Sequence, residues 1–122
     1  MELIQMESNR VRRYRDARLD VDFHTQAVLL DGATVRLTPM EFALLAELAR
    51  NAGEIVSRDT LMSNVWGYGP EIRTRTVDVH LRRLRVKLES YSKRHIETVF
   101  GLGYRLQPCS VPLMLPHAAG AW

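Results

Sequence analysis

Apolar residues recur at helical spacing between Val77 and Leu88. Placed at about 100° per residue, Val77, Leu81, Leu84 and Leu88 fall on one narrow stripe, the face a helix turns into a core. The segment runs from Arg73 to Glu89, and its opposite side carries Arg75, Thr76, Val79, Arg82, Arg83 and Val86. His80 and Lys87 lie along one flank of it, Asp78 and Arg85 along the other. Nearer the amino end the period drops to two. Leu19, Val21 and Phe23 alternate with polar residues as a half-buried strand does, Ala27 to Leu30 predicts a second strand, and Asp31-Gly32 supplies a two-residue hairpin turn into Ala33 to Leu37. Thr38-Pro39-Met40-Glu41 then predicts a helix start, with Thr38 as cap, Pro39 at the first helical position and Glu41 completing a capping box. Phe42, Leu45, Leu48 and Ala49 give that helix an apolar face to about Asn51, where Ala52-Gly53 stops it.

The rest of the chain alternates short extended and helical pieces. Glu54 to Val56 is extended, and Ser57 caps a second helix through Leu61, Met62, Val65 and Trp66 that Gly67 ends. A loop to Ile72 delivers the chain to the basic helix, so the order is helix, long turn, helix. Beyond Glu89, Ser90 to His95 is polar and Ile96 to Phe100 alternates like a strand. Gly101-Leu102-Gly103 reverses the chain, and Tyr104 to Leu106 returns as the partner strand, ended by Pro108. A hairpin beside such a helix is a wing. The predicted class is therefore α+β: a winged helix-turn-helix with an N-terminal antiparallel sheet, a three-helix core and a C-terminal hairpin. Residues 1–17 read as a linker or frayed arm, 18–107 as the folded domain and 108–122 as a disordered or loosely docked tail.

Composition narrows the partners. A chain of 122 residues, 46% hydrophobic and 25% charged, suits one soluble domain with one core. It holds no apolar run of about 18 residues for a membrane span and no signal peptide. Its single cysteine, Cys109, excludes an internal disulfide framework and fits a reducing compartment, so the cytoplasm is the expected location. The net charge of +3 and the pI near 9.4 are modest, but the surplus is local. Between Arg73 and Lys87, six cationic side chains face Asp78 as their one internal counter-charge, which favours a polyanionic partner. His24, His80, His95 and His117 are scattered without metal-ligand spacing, and no glycine-rich phosphate loop or nucleophile constellation is present, so neither a cofactor nor an enzyme is expected.

The basic helix carries the chemistry. A helix about 10–12 Å across fits the major groove of B-DNA, where arginine reads guanine edges and small apolar groups touch thymine methyls. Valines left outward among arginines suit that use; a solvated basic helix with incidental valines is the plain alternative. A winged helix that docks an acidic protein is the functional competitor. RNA binding is a third reading, weakened because the basic helix lacks aromatic platforms for single strands. His80 suits either a phosphate contact or a half-buried helix position. Arg85 suits either a phosphate or a bridge to Glu89 at helical spacing.

Several local runs, in order and without large gaps over roughly Arg18 to Gln107, resemble the effector domain of OmpR/PhoB-family bacterial response regulators. They are Leu37-Thr38-Pro39-Met40-Glu41-Phe42, Val56-Ser57-Arg58, Val65-Trp66-Gly67, Arg75-Thr76-Val77-Asp78-Val79-His80, Leu84-Arg85 and Gly101-Leu102-Gly103-Tyr104-Arg105. The resemblance implies four strands in the N-terminal sheet, one more than the pattern predicts, and a transcription factor binding double-stranded DNA as a head-to-tail dimer on direct repeats. It implies Arg83 at base edges with Val79 and Arg82 nearby, and Arg75, Thr76, His80 and Arg85 at phosphates. Trp66 and Tyr104 match positions that donate to the DNA backbone, and the loop from Gly67 to Arg73 matches a region some members use to touch RNA polymerase. Two departures stand out. Phe100 replaces a basic or polar wing residue and is read as packing. The seventeen residues before Arg18 are too few for the phospho-acceptor receiver domain that relatives usually carry, so the sequence is either an excised domain or a protein that works unphosphorylated.

Overall fold

The computed structural model describes residues 12–67 and 75–110, with the side chain of Arg75 outside that description. The chain divides into two compact units, one taking Met1–Val35 with Pro108–Trp122 and the other Arg36–Gln107. Among the described residues, no helix is long and apolar enough to cross a membrane.

The first unit holds a four-stranded antiparallel sheet in sequence order: β1 (Arg13–Arg15), β2 (Leu19–Asp22), β3 (Val28–Leu30) and β4 (Ala33–Thr34). Leu19, Val21 and Val28 are buried, as the period of two predicts. The β3–β4 connection is the two-residue turn expected of Asp31-Gly32, both with positive φ (53° and 84°). The arm predicted through Ala17 is shorter than expected, because Arg13–Arg15 form β1. Its register sets Arg13 opposite Asp22 and Arg15 opposite Asp20. Arg13 reaches Asp20 at 3.2 Å and Asp22 at 3.6 Å, and Arg15 reaches Asp20 at 2.8 Å. A run of arginines reads as solvated tail until the cross-strand carboxylates are known; opposite charges directly across a sheet support pairing instead. The predicted tail also includes a residue held within the first unit. The Cys109 carbonyl accepts from Ala17 N–H at 2.8 Å, and its own N–H donates to Asp16 at 3.1 Å, so the buried Cys109 is tied to the β1–β2 turn.

The second unit begins with α1 (Pro39–Arg50), capped as predicted: Glu41 N–H donates to Thr38 Oγ1 at 3.2 Å, and Thr38 N–H to Glu41 Oε1 at 2.9 Å. β5 (Ile55–Val56) leads to Ser57, whose hydroxyl caps α2 (Arg58–Leu61). This helix continues as a π-helical turn over Met62–Trp66 and ends on the left-handed Gly67. The third helix, α3 (Arg75–His95), runs beyond the end expected at Glu89. The backbone breaks there, with Glu89 at φ 37° and ψ −109°, and a second helical stretch follows. Its reason is burial that a polar sequence hid: Tyr91 and Ser92 face inward, and Ser92 Oγ lies 2.9 Å from the Arg85 carbonyl and 2.8 Å from that of Glu89.

β6 (Ile96–Val99) and β7 (Gly103–Leu106) form the hairpin, with β7 central between β5 and β6. The loop Phe100–Leu102 closes through Leu102 N–H to the Val99 carbonyl at 2.9 Å. The core of this unit is made by Phe42, Leu44, Leu45 and Leu48 of α1, Leu61 and Met62 of α2, Val77, Leu81, Leu84 and Leu88 of α3, and Leu106 of β7.

Gly103 governs how closely the hairpin lies against β5. Its φ of 149° lies where side chains are strained, and a Cβ there would sit 2.1 Å from the Val56 carbonyl oxygen. Gly103→Ala is therefore expected to destabilise the domain by about 3 kcal/mol, strain and overpacking acting together. Urea denaturation of the two proteins measures this, and a loss below about 1 kcal/mol would mean the hairpin moves off β5 at little cost.

Candidate nucleic-acid interface

Helix α3 is held at three points along its length by side chains that its own sequence supplies. At its carboxyl half, Lys87 Nζ lies 2.6 Å from Glu41 Oε1. Glu41 is fully buried at the start of α1. Burial pushes its carboxyl up, but the Lys87 ammonium and the Thr38 N–H more than offset this and hold it below the usual carboxylate range. In the middle, the Arg85 guanidinium donates to the Ile96 carbonyl and to Thr98 Oγ1, each at 2.9 Å, fastening β6 to the helix. At the amino end, Asp78 accepts from Arg58 Nε at 2.9 Å and from the Tyr104 hydroxyl, joining α3 to α2 and β7.

The Asp78 cluster has a consistent electrostatic logic. Partial burial raises the Asp78 carboxyl, but the hydrogen bonds from Tyr104 and Arg58 win and its pKa is lowered. The bond to Asp78 raises that of Arg58. Burial first, and then the bond to Asp78, raise the Tyr104 phenol, so it stays a donor. The guanidinium carbons of Arg58 and Arg85 each lie 5.5 Å from the centre of the Tyr104 ring, a cation–π arrangement that fixes the ring.

These contacts sort the expected site residues. Arg82 and Arg83 are exposed and make no ion pair or hydrogen bond among the described residues. Between them and along the same face, Val79 and Val86 are 40% and 65% exposed. Trp66, Thr76 and His80 come together at the amino end of α3: His80 Nδ1 donates to the Thr76 carbonyl at 2.9 Å, and its ring meets Trp66 edge-on at 5.4 Å. Because a carbonyl only accepts, Nδ1 is the donor in this bond. Arg75 begins the helix, with its side chain outside the described residues. The loop assigned to RNA polymerase lies outside them too, apart from Gly67.

Two residues expected at phosphates are engaged within the domain. Arg85 is half-buried, and burial lowers the pKa of its guanidinium; its donors go to the hairpin, and it bridges to β6 instead of Glu89. Tyr104 is only 4% exposed and its hydroxyl is committed to Asp78. Both of the Arg85 bonds come from Nη2. Phe100, read as packing, is almost fully exposed. Sequence reasoning also missed Arg58 and Asp78 as positioning residues, although Asp78 was visible as the lone acid among the cations of the segment. Among the described residues no group of His, Cys, Asp and Glu is arranged to hold a metal ion.

The arrangement is thus a clamped helix whose exposed Arg82 and Arg83 have no side-chain partner among the described residues and lie beside two exposed valines. Residues 32–106 match the family described as Transcriptional regulatory protein, C terminal. The DNA-binding response regulator MtrA of Mycobacterium leprae is 38% identical over 117 residues, covering 88% of this chain and 52% of MtrA. The response regulator ArlR of Staphylococcus aureus is 40% identical over 87 residues, 70% of this chain and 40% of ArlR. The chain therefore spans about half or less of these relatives. The crystal structure of the Klebsiella pneumoniae RstA DNA-binding domain in complex with the RstA box superposes with a TM-score of 0.73 at 35% identity, covering 80% of this chain and 99% of that one. The DNA-binding domain of CpxR from E. coli gives 0.71 at 30% identity over 80% of this chain and 98% of its own.

The lowered pKa of Asp78 makes its contribution pH-dependent. Its stabilisation is complete above the ordinary carboxylate value of about 3.9 and is lost as pH falls through the lower folded value. Asp78→Asn is expected to be less stable by about 1 kcal/mol at pH 7, a charge-assisted bond discounted for exposure. Urea titrations between about pH 7 and pH 2.5 should show that difference shrinking toward the acid end; a constant difference would remove the charge from the explanation.

Proposed function

We propose that this chain, which belongs to the OmpR/PhoB-type family of transcriptional regulatory protein C-terminal domains, binds double-stranded DNA sequence-specifically through α3 and regulates transcription as the output domain of a two-component response regulator. One observation carries the reading. On a helix where Asp78, Arg85 and Lys87 are tied to the scaffold, Arg82 and Arg83 have no side-chain partner among the described residues and lie beside the exposed Val79 and Val86. Unpaired guanidinium groups fit guanine edges and phosphates, and valines fit thymine methyls. A solvated helix needs no such tethering.

In this reading Arg83 meets base edges with Val79 and Arg82 beside it, while Arg75, Thr76, His80 and Trp66 meet phosphates. His80 is oriented by the hydrogen bond from its Nδ1 to the Thr76 carbonyl. Arg85, Tyr104, Arg58 and Asp78 are positioning residues that hold the helix at a fixed angle to the hairpin. The resemblance extends the proposal to head-to-tail dimers on direct repeats, to RNA polymerase contact through the Gly67–Arg73 loop and to a cytoplasmic setting. The chain acts as a binder and not an enzyme. A protein-docking module is the competing use, and the free arginines disfavour it only if duplex DNA is bound specifically.

Selection of bound duplexes from a random pool tests the reading directly and yields half-site spacing. On the selected duplex, Arg83→Ala is expected to cost about 1–3 kcal/mol and to lose little on random duplex, because a base contact is lost. Arg75→Ala should weaken both alike and flatten log affinity against log salt by about 0.9. Arg85→Ala should lower stability and leave that slope unchanged. Failure to enrich any duplex would transfer the basic face to an acidic protein partner.

A further inference from the structure

Two histidines lie on α3, in different surroundings. His95 ends the helix, stacked on the buried Tyr91 at 4.4 Å and hydrogen-bonded through Nδ1 to the Tyr91 carbonyl at 2.8 Å. His80 lies in the amino half, half-buried, among the residues read as phosphate contacts, with Thr76 one turn before it and Trp66 edge-on beside it. Its Nδ1 donates to the Thr76 carbonyl, and a neutral imidazole has a single N–H. The nitrogen at which this ring gains or loses a proton is therefore Nε2.

No carboxylate among the described residues is bonded to that ring. The π-helical turn Met62–Trp66, which supplies the indole, contains no charged side chain. Along α3, the exposed Arg83 follows His80 by three residues and Lys87 by seven, the latter with its ammonium on Glu41 of α1. Asp78, on the opposite flank of the helix, is taken by Arg58 of α2 and Tyr104 of β7, and Glu97 of β6 by Arg105. A positive charge on His80 thus has cations on its own helix and no bonded anion among the described residues.

Resting on the reading of α3 as a DNA-binding helix, we propose that His80 makes that binding proton-linked, so that the duplex is held more tightly as pH falls through the histidine range. A backbone phosphate supplies the counter-charge that an imidazolium at this position lacks in the free domain. To that phosphate the neutral ring offers no donor at Nε2, whereas the imidazolium offers a charge-assisted N–H. The complex then carries more protons than its separated parts, and affinity falls as pH rises. One group that takes up at most one proton can change affinity by at most about tenfold per pH unit. Arginines stay charged throughout, so they set the underlying affinity and His80 modulates it. Asp78 does not enter this window, because its carboxyl is lowered below the ordinary carboxylate range.

The test uses the whole chain and a duplex that it selects from a random pool, at constant ionic strength. Between about pH 8 and about pH 6, wild-type affinity is expected to rise about three- to tenfold. Binding heats in two buffers of different ionisation enthalpy should show net proton uptake near the middle of that range. His80→Gln, neutral at every pH, should lose both the rise and the uptake, and His80→Arg, charged at every pH, should bind without a rise. His95→Gln should keep the wild-type rise. Urea denaturation at the upper pH checks that each variant is folded. A wild type with flat affinity and no proton uptake would overturn the linkage while leaving DNA binding by α3 standing. So would a His80→Gln variant that rises in step with the wild type. A wild type that selects no duplex would instead remove the reading on which the linkage rests.

Discussion

The carboxylate of Asp78 is the constraint on which the placement of α3 depends. It accepts from Arg58 of α2 and from Tyr104 of β7, so one side chain ties the recognition surface to both elements that flank it. A buried phenol without a partner costs about 1–3 kcal/mol, which makes Tyr104 as dependent on Asp78 as α3 is on Tyr104. The Glu41–Lys87 pair performs the matching task at the other half of the helix. Glu41 is fully buried, and removing a carboxylate from water costs several kcal/mol before its partners compensate. Net stabilisation from such a pair is small; what it fixes is rotation of α3 about its axis against α1, because one ammonium has one buried place to go.

The cations of α3 therefore do different work although they are alike in sequence. Lys87 is drawn to the capping carboxylate of α1, and Arg85 to the backbone of β6. Arg82 and Arg83 are left to solvent. This division separates the tethered cations, which hold the angle of the helix, from those that point their donors to solvent. In Arg85 one nitrogen, Nη2, donates to both a carbonyl and a hydroxyl while the side chain is half-buried.

The same principle acts in the first unit. Arg13 and Arg15 pair across β1 and β2 with Asp20 and Asp22, and Arg18 reaches Asp31 at 2.7 Å. The Arg18 side chain is largely buried, whereas the pairs made by Arg13 and Arg15 are more exposed and each contributes little by itself. Together they match charge across a short edge strand that lacks apolar residues to bury, and this keeps the register where Leu19, Val21 and Val28 stay inside.

Much of the architecture was legible in local sequence because it rests on short-range rules. The capping box at Thr38 and Glu41, the Asp31-Gly32 turn, the buried stripe Val77, Leu81, Leu84 and Leu88, and the hairpin around Gly101 and Gly103 all depend on residues a few positions apart. Tertiary structure alone decided what depends on partners far along the chain. Strand β1 needed Asp20 and Asp22, and helical continuation past Glu89 needed an interior place for Tyr91. The fates of Arg85 and Tyr104 needed the hairpin and Asp78 brought beside them, and the exposure of Phe100 needed the turn that points it away. Periodicity reports which face a residue occupies, but an outward-facing donor is free only if no other segment arrives to accept from it, and that is settled by the packing of the whole domain.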